Sequence, residues 1–182
     1  MVVPAGVVVA PLAREHWRAV ERIYQEGIAT GNATFEAAPP SAEEFFATRL
    51  PEHRFVAVES AHVVGWVAVT RVSSRSVYAG VVEHSVYVHP GARGRGVGRA
   101  LARHAVVQAA EAGLRKLTVE VIAEQEPAVR MFTDLGFQGE ALLGDHIRDR
   151  GGALRDVLVL AHYMDDNWSA MESVGLGEEV AG

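Results

Sequence analysis

The stretch Val86-Tyr87-Val88-His89-Pro90-Gly91-Ala92-Arg93-Gly94-Arg95-Gly96-Val97-Gly98-Arg99 decides the fold of this chain. It begins as an extended, β-branched run, breaks into a loop of arginine and glycine, and opens directly into a segment with helical spacing. Glycine lets a backbone approach a ligand closely, and the free N–H groups at a helix N-terminus attract negative charge. Arginine adds fork-shaped hydrogen bonding to phosphate oxygens. The stretch therefore predicts a strand, an anion-binding loop and a helix, in that order.

The arginines of this stretch form a basic island in an acidic chain. The 182 residues carry a net charge of −6, yet no Asp or Glu occurs between Glu83 and Glu111. A general nucleic-acid-binding protein normally carries a broad basic face, so this local charge favours a small anion, and we expect no nucleic-acid partner. The chain has no cysteine, which excludes disulfides, thiolate metal sites and a covalent cysteine–acyl intermediate.

The length predicts a single domain, which we place at residues 1–165, followed by an acid-rich, flexible tail at 166–182. No apolar run reaches the ~18 residues that a membrane span needs. The apolar N-terminus is interrupted by Pro4 and Pro11 and lacks a basic leader, so it is not typical of a signal peptide. We therefore expect a cytoplasmic protein with no membrane partner.

Hydrophobic periodicity predicts strands and helices on both sides of the arginine and glycine loop. Strands are expected at 7–12, 54–60, 63–71, 81–88, 117–122, 138–143 and 157–163. Helices are expected at 14–29, from Ser41 to the residue before Pro51, at 97–112 and at 127–135, and a polar loop at 144–155. This order predicts a mixed α/β sheet with one crossover at the anion-binding loop.

The segment Arg93 to Gly98 matches the (Gln/Arg)-x-x-Gly-x-(Gly/Ala) signature of the GNAT superfamily of acyl-CoA-dependent N-acyltransferases. Its spacing differs from the Gly-x-Gly-x-x-Gly fingerprint of dinucleotide-binding folds, which makes a dinucleotide site the poorer interpretation. Other segments resemble the phosphinothricin and methionine-sulfoximine acetyltransferase branch of that superfamily: Glu83 to Val88, Pro127 to Arg130, Leu135 to Phe137, and Asn32 to Glu36.

The resemblance implies an α/β fold whose mostly antiparallel central sheet is splayed at the cofactor site and flanked by helices. It also implies acetyl-CoA as co-substrate, with the pantetheine arm along the strand and the pyrophosphate on the N–H groups of the loop. Gln125 stands where the family usually has Asn. The resemblance also implies a homodimer. The residues expected to bind acetyl-CoA are Val86, Tyr87, Val88, Arg93, Gly94, Arg95, Gly96, Val97, Gly98, Arg99 and Gln125.

Glu83 is the candidate catalytic residue. It is the only acid in the apolar run Val81 to Val88, and strand alternation places it on one face with Ser85 and Tyr87. A carboxylate partly withdrawn from water has a raised pKa, which suits a general base that takes a proton from an amine. The pattern also fits a second interpretation, in which Glu83 is a solvated acid on an edge strand. The family resemblance favours the general base.

The resemblance further implies three substrate-binding residues, Phe35, Arg75 and Tyr78. The expected function is acetyl-CoA-dependent N-acetylation of a small amino-acid-like amine by direct attack in a ternary complex. A protein or peptide N-acetyltransferase, or a non-catalytic acyl-CoA-binding module, is the alternative. Many GNAT enzymes have a tyrosine at the position of Phe132 that protonates the departing thiolate, and phenylalanine cannot do so. The histidines lack zinc-motif spacing, so no metal is expected.

Overall fold

The computed structural model describes residues 3–31, 36–149 and 151–164, so Phe35 and the expected tail lie outside the described residues. Within these ranges, no helix combines the length and the apolar character needed to cross a membrane. The strands are β1 (Val7–Pro11), β2 (Arg49–Glu59), β3 (His62–Arg71), β4 (Val81–Val88), β5 (Lys116–Ile122), β6 (Gln138–Arg148) and β7 (Leu154–Tyr163). The α-helices are α1 (Trp17–Ala29), α2 (Ala42–Thr48), α3 (Val97–Glu111) and α4 (Glu126–Thr133).

The strands form one sheet in the order β1-β2-β3-β4-β5-β7-β6. Every neighbouring pair is antiparallel except β4 and β5, which are parallel because α3 crosses over the sheet between them. The predicted fold class is therefore confirmed, including the single crossover that follows the anion-binding loop.

Apolar side chains cover both faces of the sheet. On one face, α3 and α4 pack against strand residues that include Val67, Val82 and Leu117. On the other face, α1 and α2 bury an aromatic group in which Tyr24 and Phe45 pack edge-on against Trp66. The sheet is therefore the central layer of three, and its middle strands carry side chains into both cores.

Two sequence-based boundaries were wrong. Helix α2 ends at Thr48, and Pro51 lies within β2, at an irregularity between Arg49 and Arg54 where the ladder to β3 is interrupted. Proline lacks an N–H donor, so a strand tolerates it at such an irregularity. The expected polar loop at 144–155 is also shorter, because β6 continues to Arg148 and β7 begins at Leu154. β6 is an edge strand with many exposed residues, so its sequence shows little of the hydrophobic alternation by which a strand is recognised.

The crossover helix α3 lies directly on β3 because residue 65 is glycine. A Cβ atom built on Gly65 would lie 2.9 Å from Tyr87 O, 3.0 Å from Leu101 Cδ1 and 3.3 Å from Val97 Cγ1. The first of these atoms belongs to the backbone of β4, so it cannot give way as a flexible side chain can. Gly65 therefore sets how closely the start of α3 approaches the strands below it.

We expect Gly65→Ala to lower the free energy of unfolding by about 1–3 kcal/mol, because the added methyl group overpacks the contact between α3 and β3. Urea denaturation followed by circular dichroism measures the change. Gly144→Ala is the control, since the nearest listed atom to its Cβ would be Asp156 Oδ1 at 3.9 Å. Equal stability of the Gly65 variant and the wild type would contradict the packing assigned to this residue.

Candidate active site

Strands β4 and β5 pair for a short distance and then separate. Their register covers Val81 with Lys116, Val82 with Leu117 and Glu83 with Thr118. Beyond Glu83, β4 stays paired with β3, and beyond Thr118, β5 stays paired with β7. A cavity of about 920 Å³ opens where the two strands diverge. This divergence is the splay in the sheet that the family resemblance implies.

His84 occupies the point of divergence. Its Nδ1 lies 2.9 Å from the carbonyl oxygen of Thr118, and since a carbonyl only accepts, Nδ1 must carry the proton. The ring is buried and packs against Phe132 and Phe137, with centroid separations of 5.3 and 5.5 Å. Burial lowers the pKa of His84 to about 4, against the opposing effect of the hydrogen bond to Thr118. His84 is therefore neutral near neutral pH and bridges the two separating strands.

The anion-binding loop leads from β4 into the N-terminus of α3. Gly94 and Gly96 have φ angles of +71° and +86°, a region that residues with a side chain adopt at a cost. The first hydrogen bond of α3 runs from Ala100 N to Gly96 O at 3.0 Å. The N–H groups of 97–99 therefore lack acceptors within the helix, as expected of a helix N-terminus. Because Gly94, Gly96 and residues 97–99 all line the cavity, this end of it attracts an anion.

The three arginines of the loop differ in position. Arg93 and Arg99 line the cavity, with Arg93 Nε donating to Val88 O at 3.2 Å and Arg99 ion-paired with Asp134. Arg95 is not among the lining residues, and it forms an ion pair with Glu59, with Nη1 3.0 Å from Oε2. The cavity therefore receives cationic side chains from two of the three arginines that the sequence singled out.

The wall between the loop and the divergence consists of the β4 edge and the start of α4. Val86, Tyr87 and Val88 line the cavity from β4, and Gln125, the residue before α4, lines it as well. Phe132 of α4 also lines it and is buried. The cavity thus has an extended backbone edge along one wall.

Glu83 lies at the other end of β4 from the loop, half-buried and facing the cavity. Val88 lies five positions further along the strand, which corresponds to about 16 Å. Burial raises the pKa of Glu83, and the negative charge of Glu120 raises it further, while the charge of Arg49 opposes both. The carboxylate is therefore a stronger base than an exposed glutamate.

A row of residues across the sheet surrounds Glu83. Arg49 pairs with Thr70, Thr70 pairs with Glu83, and Glu83 pairs with Thr118, so all four side chains project from one face. Glu120, two residues after Thr118, projects from that face as well. Except for Thr118, these residues line the cavity together with Tyr24 and Thr30 of the α1 end. The cavity near Glu83 is therefore polar and carries charges of both signs.

The residues that the resemblance assigned to substrate binding do not line this cavity in the described part of the chain. Arg75 and Tyr78 are exposed, and the Arg75 guanidinium lies 5.6 Å from the centre of the Tyr78 ring. Phe35 lies outside the described residues. Their roles in substrate binding stay predictions.

Arg49 and Glu120 are charged lining residues that the sequence analysis did not single out. Neither belongs to a motif, and only the strand register brings them into the row with Glu83. The contact of His84 with Thr118 likewise joins residues that lie 34 positions apart in the chain. Among residues 3–31, 36–149 and 151–164, no three His, Asp or Glu side chains are grouped so as to hold a metal ion.

Known proteins share parts of this sequence. The phosphinothricin N-acetyltransferase of Alcaligenes faecalis is 37% identical over 90 residues, which cover 46% of this chain and 45% of that protein. The L-methionine sulfoximine/L-methionine sulfone acetyltransferase of Salmonella typhimurium is 30% identical over 82 residues, 45% of this chain and 48% of that protein. The chain therefore matches about half the length of these two curated relatives.

A solved structure extends the likeness to most of the fold. The crystal structure of a GNAT superfamily phosphinothricin acetyltransferase from Sinorhizobium meliloti, in complex with acetyl-CoA, superimposes with a TM-score of 0.80 at 25% identity. The superposition covers 87% of this chain and 88% of that one. The model of the acetyltransferase (GNAT) family matches residues 15–137, from just before α1 to just before β6. On this match, which spans more than half of its length, the chain belongs to the GNAT family of acetyltransferases.

Proposed function

We propose that this acetyltransferase transfers the acetyl group of acetyl-CoA to the primary amine of a small, amino-acid-like acceptor by direct attack in a ternary complex. One observation carries the proposal: a single cavity is lined by the anion-binding loop at one end of β4 and by Glu83 at the other. The named substrates of the Salmonella relative, methionine sulfoximine and methionine sulfone, are themselves amino acids, which supports this acceptor class.

In the proposed complex, the pyrophosphate of acetyl-CoA lies on the N–H groups of Gly94 to Arg99, beside the side chain of Arg93. The pantetheine arm runs along the β4 edge formed by Val86 to Val88, in contact with Gln125, which also lines the cavity. The bound thioester supplies an activated acetyl group. Arg95, which is ion-paired with Glu59, contributes its charge from outside the lining.

Glu83 supplies the proton acceptor. An amino group is protonated near neutral pH, and its nitrogen has no free lone pair until one proton has left. In the proposed step, Glu83 takes that proton, directly or through a water molecule. The nitrogen then forms a bond to the thioester carbonyl carbon, the carbon–sulfur bond breaks, and its electron pair leaves with the CoA sulfur. The nitrogen releases its second proton to solvent or to the departing thiolate, which leaves a neutral amide and CoA. The raised pKa of Glu83 brings the carboxylate closer to the working pH of such a base.

Other expectations stay predictions that accompany this proposal. They are the cytoplasmic location, the homodimer, the single domain at 1–165 and the substrate contacts of Phe35, Arg75 and Tyr78. Each would refine where the enzyme acts and how it holds its acceptor, and none alters the chemistry assigned to Glu83.

The proposed acceptor class is tested by measuring thiol release from acetyl-CoA across a panel of amines. The panel contains phosphinothricin, methionine sulfoximine, methionine sulfone, common amino acids, polyamines and short peptides. We expect turnover with one or more of the amino-acid-like compounds. The end of the cavity near Glu83 is polar and carries charges of both signs, which suits a small zwitterion. Turnover with peptides alone would favour a peptide N-acetyltransferase, and binding of acetyl-CoA without any turnover would favour a non-catalytic module.

We expect Glu83→Gln to lower kcat by about 10²-fold or more near neutral pH, since the amide cannot accept the proton. Acetyl-CoA affinity, measured by calorimetry, should stay close to that of the wild type because Glu83 is remote from the loop. In the wild type, kcat/KM should fall as the pH drops through the raised pKa of Glu83, because the protonated acid no longer acts as a base.

Glu120→Gln is the matched variant for this pH profile. Removing a negative charge beside Glu83 lowers the pKa of Glu83, so the acidic limb of kcat/KM should move to lower pH. Unchanged turnover in Glu83→Gln would remove this residue as the base. An unmoved acidic limb in Glu120→Gln would assign that limb to another group.

We expect Gly96→Asp to weaken acetyl-CoA binding by about tenfold or more, because a carboxylate at the first residue before α3 repels the pyrophosphate. Isothermal titration calorimetry measures the dissociation constant. Gly96→Asn is the isosteric control, since asparagine tolerates the same φ angle of +86° and brings no charge. If the Asp variant binds as tightly as the Asn variant, the pyrophosphate does not lie at this helix N-terminus.

A further inference from the structure

We propose that Arg49 binds the carboxylate of the acceptor and thereby selects α-amino acids over simple amines. The inference rests on the proposed function, because it assumes that an amine is acetylated beside Glu83. Arg49 is the first residue of β2 and belongs to none of the segments that carry the family resemblance.

The position of Arg49 suits a short acceptor. It lies in the same row as Glu83, with Thr70 between them, and the three side chains share a face of the sheet. Two strand spacings separate their backbones, about 10 Å, and both side chains line the cavity. The nitrogen and the carboxylate carbon of an α-amino acid are only two bonds apart. A carboxylate anchor must therefore lie near the base, as Arg49 does.

The guanidinium of Arg49 retains capacity for an anion. It lies over the Phe45 ring, 5.1 Å from the centroid, and its Nη1 donates to Thr48 Oγ1 at 2.7 Å. Its Nε is buried and has no hydrogen-bond partner in the described part of the chain. Among those same residues, no carboxylate lies within ion-pair distance of Arg49. By contrast, the cavity-lining Arg99 is paired with Asp134.

The charges of the row match a zwitterion, and Glu36, which also lines the cavity, adds a carboxylate outside the row. Glu83 and Glu120 offer negative charge where the ammonium group of the acceptor must lie, and Arg49 offers positive charge on the other side of Thr70. A simple amine would leave Arg49 unmatched, and a polyamine would place a second cation toward it. An amino acid places its ammonium group near the glutamates and its carboxylate near Arg49. Two N–H groups of the guanidinium can then bind the two oxygens of that carboxylate.

The experiment compares each enzyme on methionine sulfone and on methionine sulfone methyl ester, which keeps the amine and removes the carboxylate charge. The quantity measured is the ratio of kcat/KM for the acid to kcat/KM for the ester, which does not depend on how much of a variant is folded. We expect Arg49→Gln to lower this ratio by about tenfold or more, mainly through a raised KM for the acid. Arg49→Lys should restore part of it, because lysine keeps the charge but loses the fork.

Two other arginines complete the design. Arg71→Gln removes the same charge from the residue after Thr70, which is exposed and lies on the opposite face of the sheet, so its ratio should match that of the wild type. Arg75→Gln tests the rival residue. A ratio that falls in Arg75→Gln and not in Arg49→Gln overturns the inference.

The wild type separates this inference from the proposed function. Equal use of acid and ester by the wild type overturns the role of Arg49 and leaves acetyl transfer to amines intact. If none of the amines in the panel supports release of CoA by the wild type, the proposed function and this inference are overturned together.

Discussion

The separation of β4 from β5 after Glu83 and Thr118 is the constraint on which the rest of the site depends. Strands that diverge inside a protein leave backbone groups without the partners a sheet supplies, and each buried unpaired group costs about 1–3 kcal/mol. Side chains take over at this point: His84 donates to Thr118 O, and Thr118 Oγ1 donates to Val82 O at 3.2 Å. The sheet can therefore open without leaving these carbonyl groups unpaired, and the free edge of β4 becomes available to an extended ligand.

Along β4, the opening also separates a region that attracts anions from a region that carries carboxylates. Helix N–H groups and Arg93 make one end of the cavity attractive to an anion, and the other end carries the carboxylates of Glu83 and Glu120 beside Arg49. The loop lies about 16 Å from Glu83 along β4, and the charges that shift the pKa of Glu83 are those of Glu120 and Arg49 rather than of the loop arginines. The cationic loop therefore does little to depress the pKa of Glu83. A carboxylate with a raised pKa and a loop that attracts anions can therefore line one cavity, because the strand keeps them apart.

Local sequence patterns predicted the parts of the site that depend on local structure. The run from Val86 to Arg99 contains its own strand, glycine turn and helix start, and the lone acid in an apolar strand identified Glu83. Residues that reach the cavity through strand register were not predictable: Arg49 and Glu120 become neighbours of Glu83 only when β2, β3, β4 and β5 are aligned. The pairing of Arg95 with Glu59 has the same origin, since 36 residues separate the partners.

The identity of residue 132 bears on how the proposed reaction ends. Phe132 lines the cavity and packs on His84, and its ring has no proton to give to a departing thiolate. His84 is no substitute, because its Nδ1 proton is held by Thr118 O and its pKa of about 4 leaves Nε2 unprotonated near neutral pH. A thiol pKa of about 8.5 makes the thiolate an acceptable leaving group without an acid. In the proposed reaction, the residues of this cavity therefore support proton removal from the amine by Glu83 rather than proton delivery to sulfur.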